Sequence, residues 1–392
     1  MREAYIVQAF RTPGTKANKG KFKDKRPDDL AADAIKYLVE NVKIDPKEID
    51  DVILGCAFPE AEQGMNVARV ALFKANLPIE VPAITINRFC SSGLQAISMA
   101  AEKIMANFAD CIIAGGTESM TMVPMGGNKF SANPDLIKAW PETYASMGIT
   151  AELVAEKYNV SREDQDKFAY NSHQKAIAAI KEGKFKNEIA PVEVEITKVN
   201  SKNKVEKLKE IVSIDDGPRE DTSIEALLKL KPVFKANGSV TAGNSSQMTD
   251  GAAAALVVSE DFLKKHNLVP IAKFKAFAAA GVEPEYMGIG PVKAIPKALK
   301  IANLSLSDIG LIELNEAFAA QSIAIIRSLD LNPEIVNVNG GAIALGHPLG
   351  CTGAKLTATL LNEMRRREIK YGMVTMCIGG GMGAAGIFEL IK

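Results

Sequence analysis

The sequence predicts an α/β protein made of two similar halves, with a polar segment inserted into the first half. Short apolar runs alternate with helical patterns, which is typical of parallel α/β architecture. Residues 44–58 resemble residues 304–318 at an offset of 260 residues. Residues 118–245, which lie between these two stretches, are dominated by Lys, Glu and Asn.

The first half reads as strands that alternate with helices. The strand Ala4–Phe10 is ended by Arg11-Thr-Pro-Gly14, and a helix is expected after Pro27, where apolar residues recur at helical spacing. The other predicted elements of this half are a buried strand Val52–Leu54, a second buried strand Ala83–Ile86, a helix from Leu94 to Phe108 and a strand Cys111–Ala114.

The polar segment contains a helical stretch from Ala151 to about Glu182. Its mixture of Lys and acidic residues is typical of a solvated face. We therefore interpret it as a solvated inserted loop domain. The functional alternative is that this segment covers a pocket.

The second half repeats the order of the first. Apolar positions 44, 49, 52, 54 and 58 all have apolar partners 260 residues later. Ser92-Gly93 likewise matches Thr352-Gly353 before a predicted helix. We expect four segments: 1–117 and 246–268 form the N-terminal half, 118–245 is the inserted loop domain, and 269–392 is the C-terminal half.

Composition excludes several classes of protein. The 47 basic residues balance the 47 acidic ones, so no whole-protein basic field for nucleic acid exists. The longest apolar run, Ala252–Val258, is too short to span a bilayer. The five cysteines contain no C-x-x-C pair, which argues against a zinc site or a disulfide framework. Neither end carries a recognisable targeting signal, so we expect a cytoplasmic protein.

Cys90 is predicted at a turn from a strand into a helix, within Asn87-Arg-Phe-Cys-Ser-Ser-Gly93. The N–H groups and dipole of a helix N-terminus favour a thiolate, which makes Cys90 a candidate nucleophile. The alternative is a buried, inert cysteine.

His347 is the one histidine that lies among glycines, where Pro348 stiffens the turn that follows it. It is a candidate general base, or else a loop residue that satisfies backbone groups. We expect the other two histidines, His173 and His266, to be solvated. The predicted pseudo-twofold symmetry brings His347 close to Cys90.

Cys377 ends a predicted strand and is followed by Gly379 and two further glycines. Free N–H groups in this run could bind an oxyanion, although a buried cysteine in a tight turn is equally compatible with the pattern. Asn315 follows another strand and could orient a water molecule, but it is weak evidence alone.

Six segments together resemble the thiolase family of acyl-CoA acyltransferases over essentially the whole chain. They are Cys90-Ser-Ser-Gly, Gly115-Gly-Thr-Glu-Ser-Met, Thr241-Ala-Gly-Asn-Ser-Ser, Asn315-Glu-Ala-Phe, Gly346-His-Pro-Leu-Gly and Cys377-Ile-Gly-Gly-Gly. The resemblance implies the thiolase fold: two βαβαβαββ halves in a five-layer αβαβα sandwich, with a loop domain inserted in the first half.

The resemblance also implies roles for individual residues. Cys90 would be the acylated nucleophile, His347 its activating base, and Cys377 the acid/base for the carbon proton. His347 would also help to form one oxyanion hole, in which Asn315 would hold a water, and the N–H groups of Cys90 and Gly379 would form the other. Four positions match coenzyme A or substrate contacts: Ser246, Met147, Arg219 and Met287.

Within the family, Ser91 after the nucleophile and Ser146 before Met147 favour the degradative 3-ketoacyl-CoA thiolases, which act in fatty acid β-oxidation. The alternatives are a biosynthetic acetoacetyl-CoA thiolase, a ketoacyl synthase, and a non-catalytic thiolase-like protein that binds CoA or lipid. We expect acyl-CoA and CoA as substrates, no tightly bound cofactor or metal, and no nucleic acid. A homodimer or homotetramer is expected, with a β-oxidation multienzyme complex as a candidate partner.

Overall fold

A computed structural model describes residues 2–199 and 205–391. The strands are β1 (Ala4–Arg11), β2 (Thr15–Lys16), β3 (Asp51–Gly55), β4 (Ala83–Ile86), β5 (Cys111–Ser119), β6 (Val192–Val199), β7 (Val205–Val212), β8 (Thr249–Ser259), β9 (Ala272–Gly281), β10 (Leu311–Leu314), β11 (Tyr371–Ile378) and β12 (Met382–Leu390). The helices are α1 (Pro27–Val42), α2 (Val67–Lys74), α3 (Ser92–Met105), α4 (Pro134–Ala139), α5 (Met147–Lys157), α6 (Arg162–Lys181), α7 (Ile224–Leu228), α8 (Glu260–His266), α9 (Gly290–Ala302), α10 (Ala319–Ser328), α11 (Ala342–Leu345) and α12 (Leu349–Arg367).

The main sheet contains two groups of strands with the same order. The first runs β4-β3-β5-β8-β1 and the second runs β10-β11-β12-β9, with an isolated bridge from Ile312 to Val336 in the place that corresponds to β4. In the first group β3 pairs in parallel with β4 and β5, and in the second group β10 pairs in parallel with β11. The other neighbouring strands within each group pair antiparallel. The prediction of two similar halves is therefore confirmed.

The two groups meet where β1 pairs with β9, through Tyr5 opposite Lys273 and Ile6 opposite Ala272. With β2 attached to β8, the result is one ten-stranded sheet. The halves are thus joined by a short pairing of β1 with β9, which the sequence comparison of the halves does not reveal.

Side chains along each strand alternate between the two faces of the sheet, so each group of strands is covered by helices on both faces and five layers result. On β5, Ile112 and Ala114 pack into a central core with α3 and α12. Cys111 and Ile113 point the other way and pack against α1 and α2. The second group of strands packs on the same central helices and, on its outer face, on α9 and α10. This is the αβαβα order implied by the resemblance.

The inserted segment differs from its prediction in one respect. The helical stretch expected from Ala151 to Glu182 is two helices, α5 and α6. Asn159 adopts a left-handed conformation with φ of 52°, and the Ser161 hydroxyl caps the first turn of α6. These two residues end one helix and begin the next, because an Asn tolerates positive φ and a Ser side chain satisfies a free N–H group.

The strand β4 was predicted to be buried, but it is the edge strand of the first group. Ile84 is 44% exposed. An apolar run alone does not distinguish an edge strand from a central one, since both have the same local pattern. Among the described residues, no helix is both long and apolar enough to cross a bilayer.

Candidate active site

Cys90 lies in a 3₁₀ turn, Phe89–Ser91, between β4 and α3. The turn is held locally: Asn87 Oδ1 accepts a 2.8 Å hydrogen bond from the Phe89 N–H, and Ser92 Oγ accepts one of 2.8 Å from Arg88. Phe89 has a positive φ of 42°, an unusual conformation for an aromatic residue. The predicted position of Cys90 at a strand-to-helix turn is confirmed.

The Cys90 thiol is buried and has two backbone N–H groups next to it. Burial raises the pKa of this thiol to about 11, and the N–H groups of Gly379 and of Cys90 itself oppose the rise. The expectation that the helix terminus favours a resting thiolate is therefore wrong. Loss of hydration outweighs the two N–H groups and the helix end.

Cys377 lies near the end of β11 and is fully buried. Burial raises its pKa above the ordinary range, and the neighbouring Cys90 adds to the rise. The two thiols are therefore near neighbours, and the backbone of Gly379 lies next to Cys90. The chain can turn sharply there because Gly380 and Gly381 both have φ of 78°.

The His347 ring is fixed at both nitrogens. Nδ1 lies 2.6 Å from Thr352 Oγ1, and Nε2 lies 3.3 Å from Asn315 Nδ2. When the amide donates to Nε2, the neutral ring carries its proton on Nδ1 and donates it to the Thr352 oxygen. Burial lowers the pKa of His347 to about 3, and the charge of Lys355 lowers it further, so the ring is neutral near pH 7.

The loop of His347 and the turn of Cys90 meet where α12 crosses α3. Leu349 packs in the same apolar cluster as Cys90. A Cβ on Gly93 would lie only 2.7 Å from the Ala354 nitrogen, so the two helices can approach this closely because the position is glycine. The predicted proximity of the two motifs is thus borne out by the packing.

Asn315 belongs to the same site. Its backbone N–H donates to Thr375 O at 2.9 Å, which places it beside the strand that carries Cys377. Its Oδ1 is buried and has no hydrogen-bond partner among the described residues. An unpaired buried acceptor next to His347 is a suitable partner for a water molecule or a substrate donor.

Three of the four predicted substrate contacts lie around this centre. Met287 packs in one apolar cluster with Cys377, and Met147 lies against that cluster. Ser246 donates its N–H to the carbonyl oxygen of Ala317 at 2.9 Å, and Ala317 belongs to the same cluster. All three therefore adjoin the apolar cluster that contains Cys377.

Arg219 is not brought to this centre. Its guanidinium is exposed and pairs with Asp221 at 3.3 Å. Its backbone N–H donates to His173 Nδ1 at 3.2 Å. His173 was expected at the surface but is buried, because it lies on the inner face of α6 and accepts this bond.

Glu118 was missed as a site residue, although it stands in one of the six motifs. Its buried carboxylate accepts hydrogen bonds from Ala57 N at 2.7 Å, Gly350 N at 2.8 Å and Gln63 Nε2 at 2.7 Å. It thereby links β5 to the first turn of α12, three residues after His347. A lone acidic residue at the end of an apolar strand was the signal that could have identified it.

Within the described ranges, no group of three His, Cys, Asp or Glu residues is arranged to hold a metal ion. The functional groups available at the site are thus two thiols, an imidazole, a carboxamide and backbone N–H donors. This set can carry out nucleophilic attack, proton transfer and stabilisation of an oxyanion.

Comparison with known proteins gives a consistent result. The family model "Thiolase, N-terminal domain" matches residues 4–261, and "Thiolase, C-terminal domain" matches residues 268–390. The chain is 56% identical over 390 residues to a 3-ketoacyl-CoA thiolase of Bacillus subtilis (strain 168), with 100% of both chains covered. It is 48% identical to the peroxisomal 3-ketoacyl-CoA thiolase 5 of Arabidopsis thaliana, over 98% of this chain and 84% of that one.

Solved structures agree with this result. The crystal structure of human mitochondrial 3-ketoacyl-CoA thiolase superposes with a TM-score of 0.90 at 41% identity, covering 100% of this chain and 99% of that one. The Bacillus anthracis acetyl-CoA acetyltransferase gives a TM-score of 0.89 at 38% identity, with the same coverage. The chain therefore belongs to the thiolase family.

Proposed function

We propose that this protein is a 3-ketoacyl-CoA thiolase, which cleaves a 3-ketoacyl-CoA with CoA into acetyl-CoA and a shortened acyl-CoA. The observation that carries the proposal is the arrangement around Cys90: two backbone N–H groups point at its thiol, and a second thiol, Cys377, lies beside it. This pairing suits a reaction that forms an acyl-cysteine and moves a proton on carbon.

In the first step, the Cys90 sulfur forms a bond to the ketone carbon while its proton passes to His347 Nε2. The proton moves as attack occurs, because the raised pKa of Cys90 and the lowered pKa of His347 both favour the neutral pair at rest. The Asn315 N–H that holds the ring at rest gives up Nε2 to this proton, because that nitrogen has a single lone pair.

The ketone oxygen becomes an oxyanion, which needs hydrogen-bond donors. One candidate is the hole formed by the N–H groups of Cys90 and Gly379, because both already point to the sulfur to which the carbon becomes bonded. The Asn315 amide with a bound water is the candidate for the second hole, at the thioester oxygen of the leaving enolate.

When the oxyanion collapses, the carbon–carbon bond breaks and its electron pair stays on the carbon of the acetyl-CoA enolate. Cys377 gives its proton to that carbon and becomes a thiolate. It then takes the proton of the incoming CoA thiol, whose sulfur attacks the acyl-cysteine. The Cys90 sulfur leaves and recovers its proton from His347, so every group returns to its initial state.

The substrate enters along the wall formed by Met147, Met287 and Ser246, with Arg219 near the nucleotide end. CoA acts as a substrate, so the proposed reaction requires no resident cofactor. The cytoplasmic location stays a prediction, since the relatives include bacterial proteins and peroxisomal ones from plants.

An acetoacetyl-CoA thiolase that works in synthesis is the second candidate, because the fold is almost equally similar to an acetyl-CoA acetyltransferase. A scan of thiolysis over C4 to C16 3-ketoacyl-CoAs decides between them. Activity on C10–C16 substrates supports the proposal, and activity confined to C4 supports the alternative.

The same scan with Cys90→Ala tests the nucleophile. Loss of all turnover is expected, whereas the control Cys111→Ala, in the outer core of the first half, should retain it. A folded wild-type protein that binds CoA but turns over none of these substrates would instead be a non-catalytic relative.

A further inference from the structure

A lysine ammonium is buried beneath the loop that carries His347. Lys355 belongs to α12 and is only 3% exposed. Its Nζ donates to Leu345 O at 3.1 Å and to Gly346 O at 3.0 Å. These are the two carbonyl groups that immediately precede His347.

Lys355 has no direct ion pair among the described residues. The nearby acids are engaged by another cation: Arg11 contacts Glu188 at 2.6 Å and Asp215 at 2.7 Å. Burial and the charge of Arg11 lower the pKa of Lys355 to about 8, while Asp215 and Glu188 oppose this shift. A buried lysine without a direct carboxylate partner is costly for stability, which points to a functional reason for its presence.

The other titratable groups that face Lys355 do not replace that partner. They are Cys351 on the same helix and Glu313 on β10. Burial raises the pKa of Glu313 well above its ordinary value, because it disfavours the charged form of this carboxyl. The ammonium is therefore directed at the two carbonyl groups.

Other contacts also restrict the backbone segment that Lys355 holds. Gly346 has a φ of 83°, and a Cβ at this position would lie 2.1 Å from Thr249 Oγ1. Thr352, one turn before Lys355 on α12, fixes the imidazole at Nδ1. One helix thus holds the ring of His347 through Thr352 and the preceding main chain through Lys355.

We propose that Lys355 is a positioning residue of the thiolase reaction: its ammonium fixes the Leu345 and Gly346 carbonyl groups and so aims His347 at Cys90. The inference rests on the proposed function. It predicts that loss of the ammonium slows the chemical step without weakening substrate binding, because Lys355 Nζ bonds to the carbonyl groups that precede His347 and not to the residues proposed to line the substrate wall.

The test compares Lys355→Met with Lys355→Arg in thiolysis. Misplacing a catalytic base by about 1 Å can lower the rate up to about 100-fold, so K355M should lower kcat by roughly 10- to 100-fold with KM changed less than about twofold. K355R keeps the charge and the donors, and should recover most of that loss. The control is Lys297→Met, which also removes a bond from Nζ to a carbonyl, that of Ala279, outside the site.

Wild-type activity is measured first, because an inactive wild type contradicts the proposed function itself. If the wild type is active, the proposal is overturned by a K355M kcat within about twofold of wild type, or by K355R that is as slow as K355M. Should K355M not fold, K355A is read in the same way. Failure of both neutral variants to fold would contradict a role confined to positioning.

Discussion

Cys90 and His347 rest as a neutral thiol and a neutral imidazole. Both are buried, and burial disfavours the charged form of each group, so the pKa of the thiol rises to about 11 while that of the ring falls to about 3. The arrangement stores the nucleophile in an unreactive form. Reaction then depends on the donors and acceptors that the site provides as the substrate carbon approaches.

Cys377→Ser separates the two roles that we propose for the site thiols. A serine hydroxyl has a much higher pKa than a thiol, so proton transfer to and from carbon should slow severely. Attack by Cys90 on the thioester of acetyl-CoA needs no proton on carbon. We therefore expect acetyl-CoA to acylate the variant, with a mass increase on the peptide that contains Cys90, while thiolysis falls at least about 100-fold.

The controls follow from the same roles. Cys90→Ala should show neither the mass increase nor turnover. If Cys377→Ser also failed to become acylated, or turned over at nearly the wild-type rate, the two thiols would not divide the chemistry in this way.

The sequence predicts the chemical groups of the site better than their surroundings. Cys90, His347 and Cys377 stand in short motifs, and a repeated fold is enough to bring such motifs together. Glu118 and Lys355 act through hydrogen bonds to backbone groups that are distant in sequence or have no side-chain signature. Burial of His173 depends on which face of α6 packs inward, which its polar neighbours conceal.

At the scale of elements, the crossing of α3 and α12 determines whether the halves of the site meet. Gly93→Ala should be destabilising because its Cβ would approach the Ala354 nitrogen to 2.7 Å, and a backbone atom cannot rotate away. We expect a loss of about 1–3 kcal/mol in the free energy of unfolding, together with lower activity. Denaturant unfolding and thiolysis measure both effects.

Gly281→Ala is the matched control, since a Cβ there has its nearest neighbour at 3.9 Å. It should unfold at nearly the wild-type denaturant concentration. Equal stability of the two variants would mean that the helices separate easily and that the close crossing is not required.

The sequence anticipates the elements better than their boundaries and neighbours. The repeat predicts which strands and helices correspond, because corresponding elements have the same apolar spacing. The break between α5 and α6 rests on one positive φ at Asn159 and one cap at Ser161, which a periodic pattern does not resolve. The pairing of β1 with β9 depends on how the halves dock.

At the scale of the whole molecule, two buried histidines make stability depend on pH. Burial lowers the pKa of His173 to about 4 and that of His347 to about 3. Between pH 6.5 and 4 the unfolded chain binds protons on both rings and the folded chain does not, so stability should fall as pH falls.

His173→Gln tests this linkage. Its ring accounts for a loss on the order of 3 kcal/mol across that window. The variant should therefore show a shallower dependence of unfolding free energy on pH between 6.5 and 4 than the wild type, measured by denaturant titration at each pH. Identical slopes for the two proteins would mean that His173 gains its proton in the folded state.

The last prediction concerns assembly. β4 is one of the two terminal strands of the sheet, the other being β10. Exposed apolar residues lie on β4, on α2 and in the adjoining loops: Met65, Val70, Phe73, Ile79 and Ile84. An exposed edge strand beside an apolar surface favours pairing with another strand. A second copy of the chain supplies that strand: a twofold axis places the β4 strands of the two copies side by side and antiparallel.

We therefore expect light scattering to give at least twice the chain mass of 42.0 kDa. Ile84→Lys should shift the protein toward the monomer, because a charge would be buried at the pairing edge. The same change at Val269, which is 78% exposed and belongs to neither β4 nor α2, should leave the mass unchanged. A wild-type monomer with full activity would contradict the prediction, and an oligomer that is insensitive to Ile84→Lys would place the interface on another face.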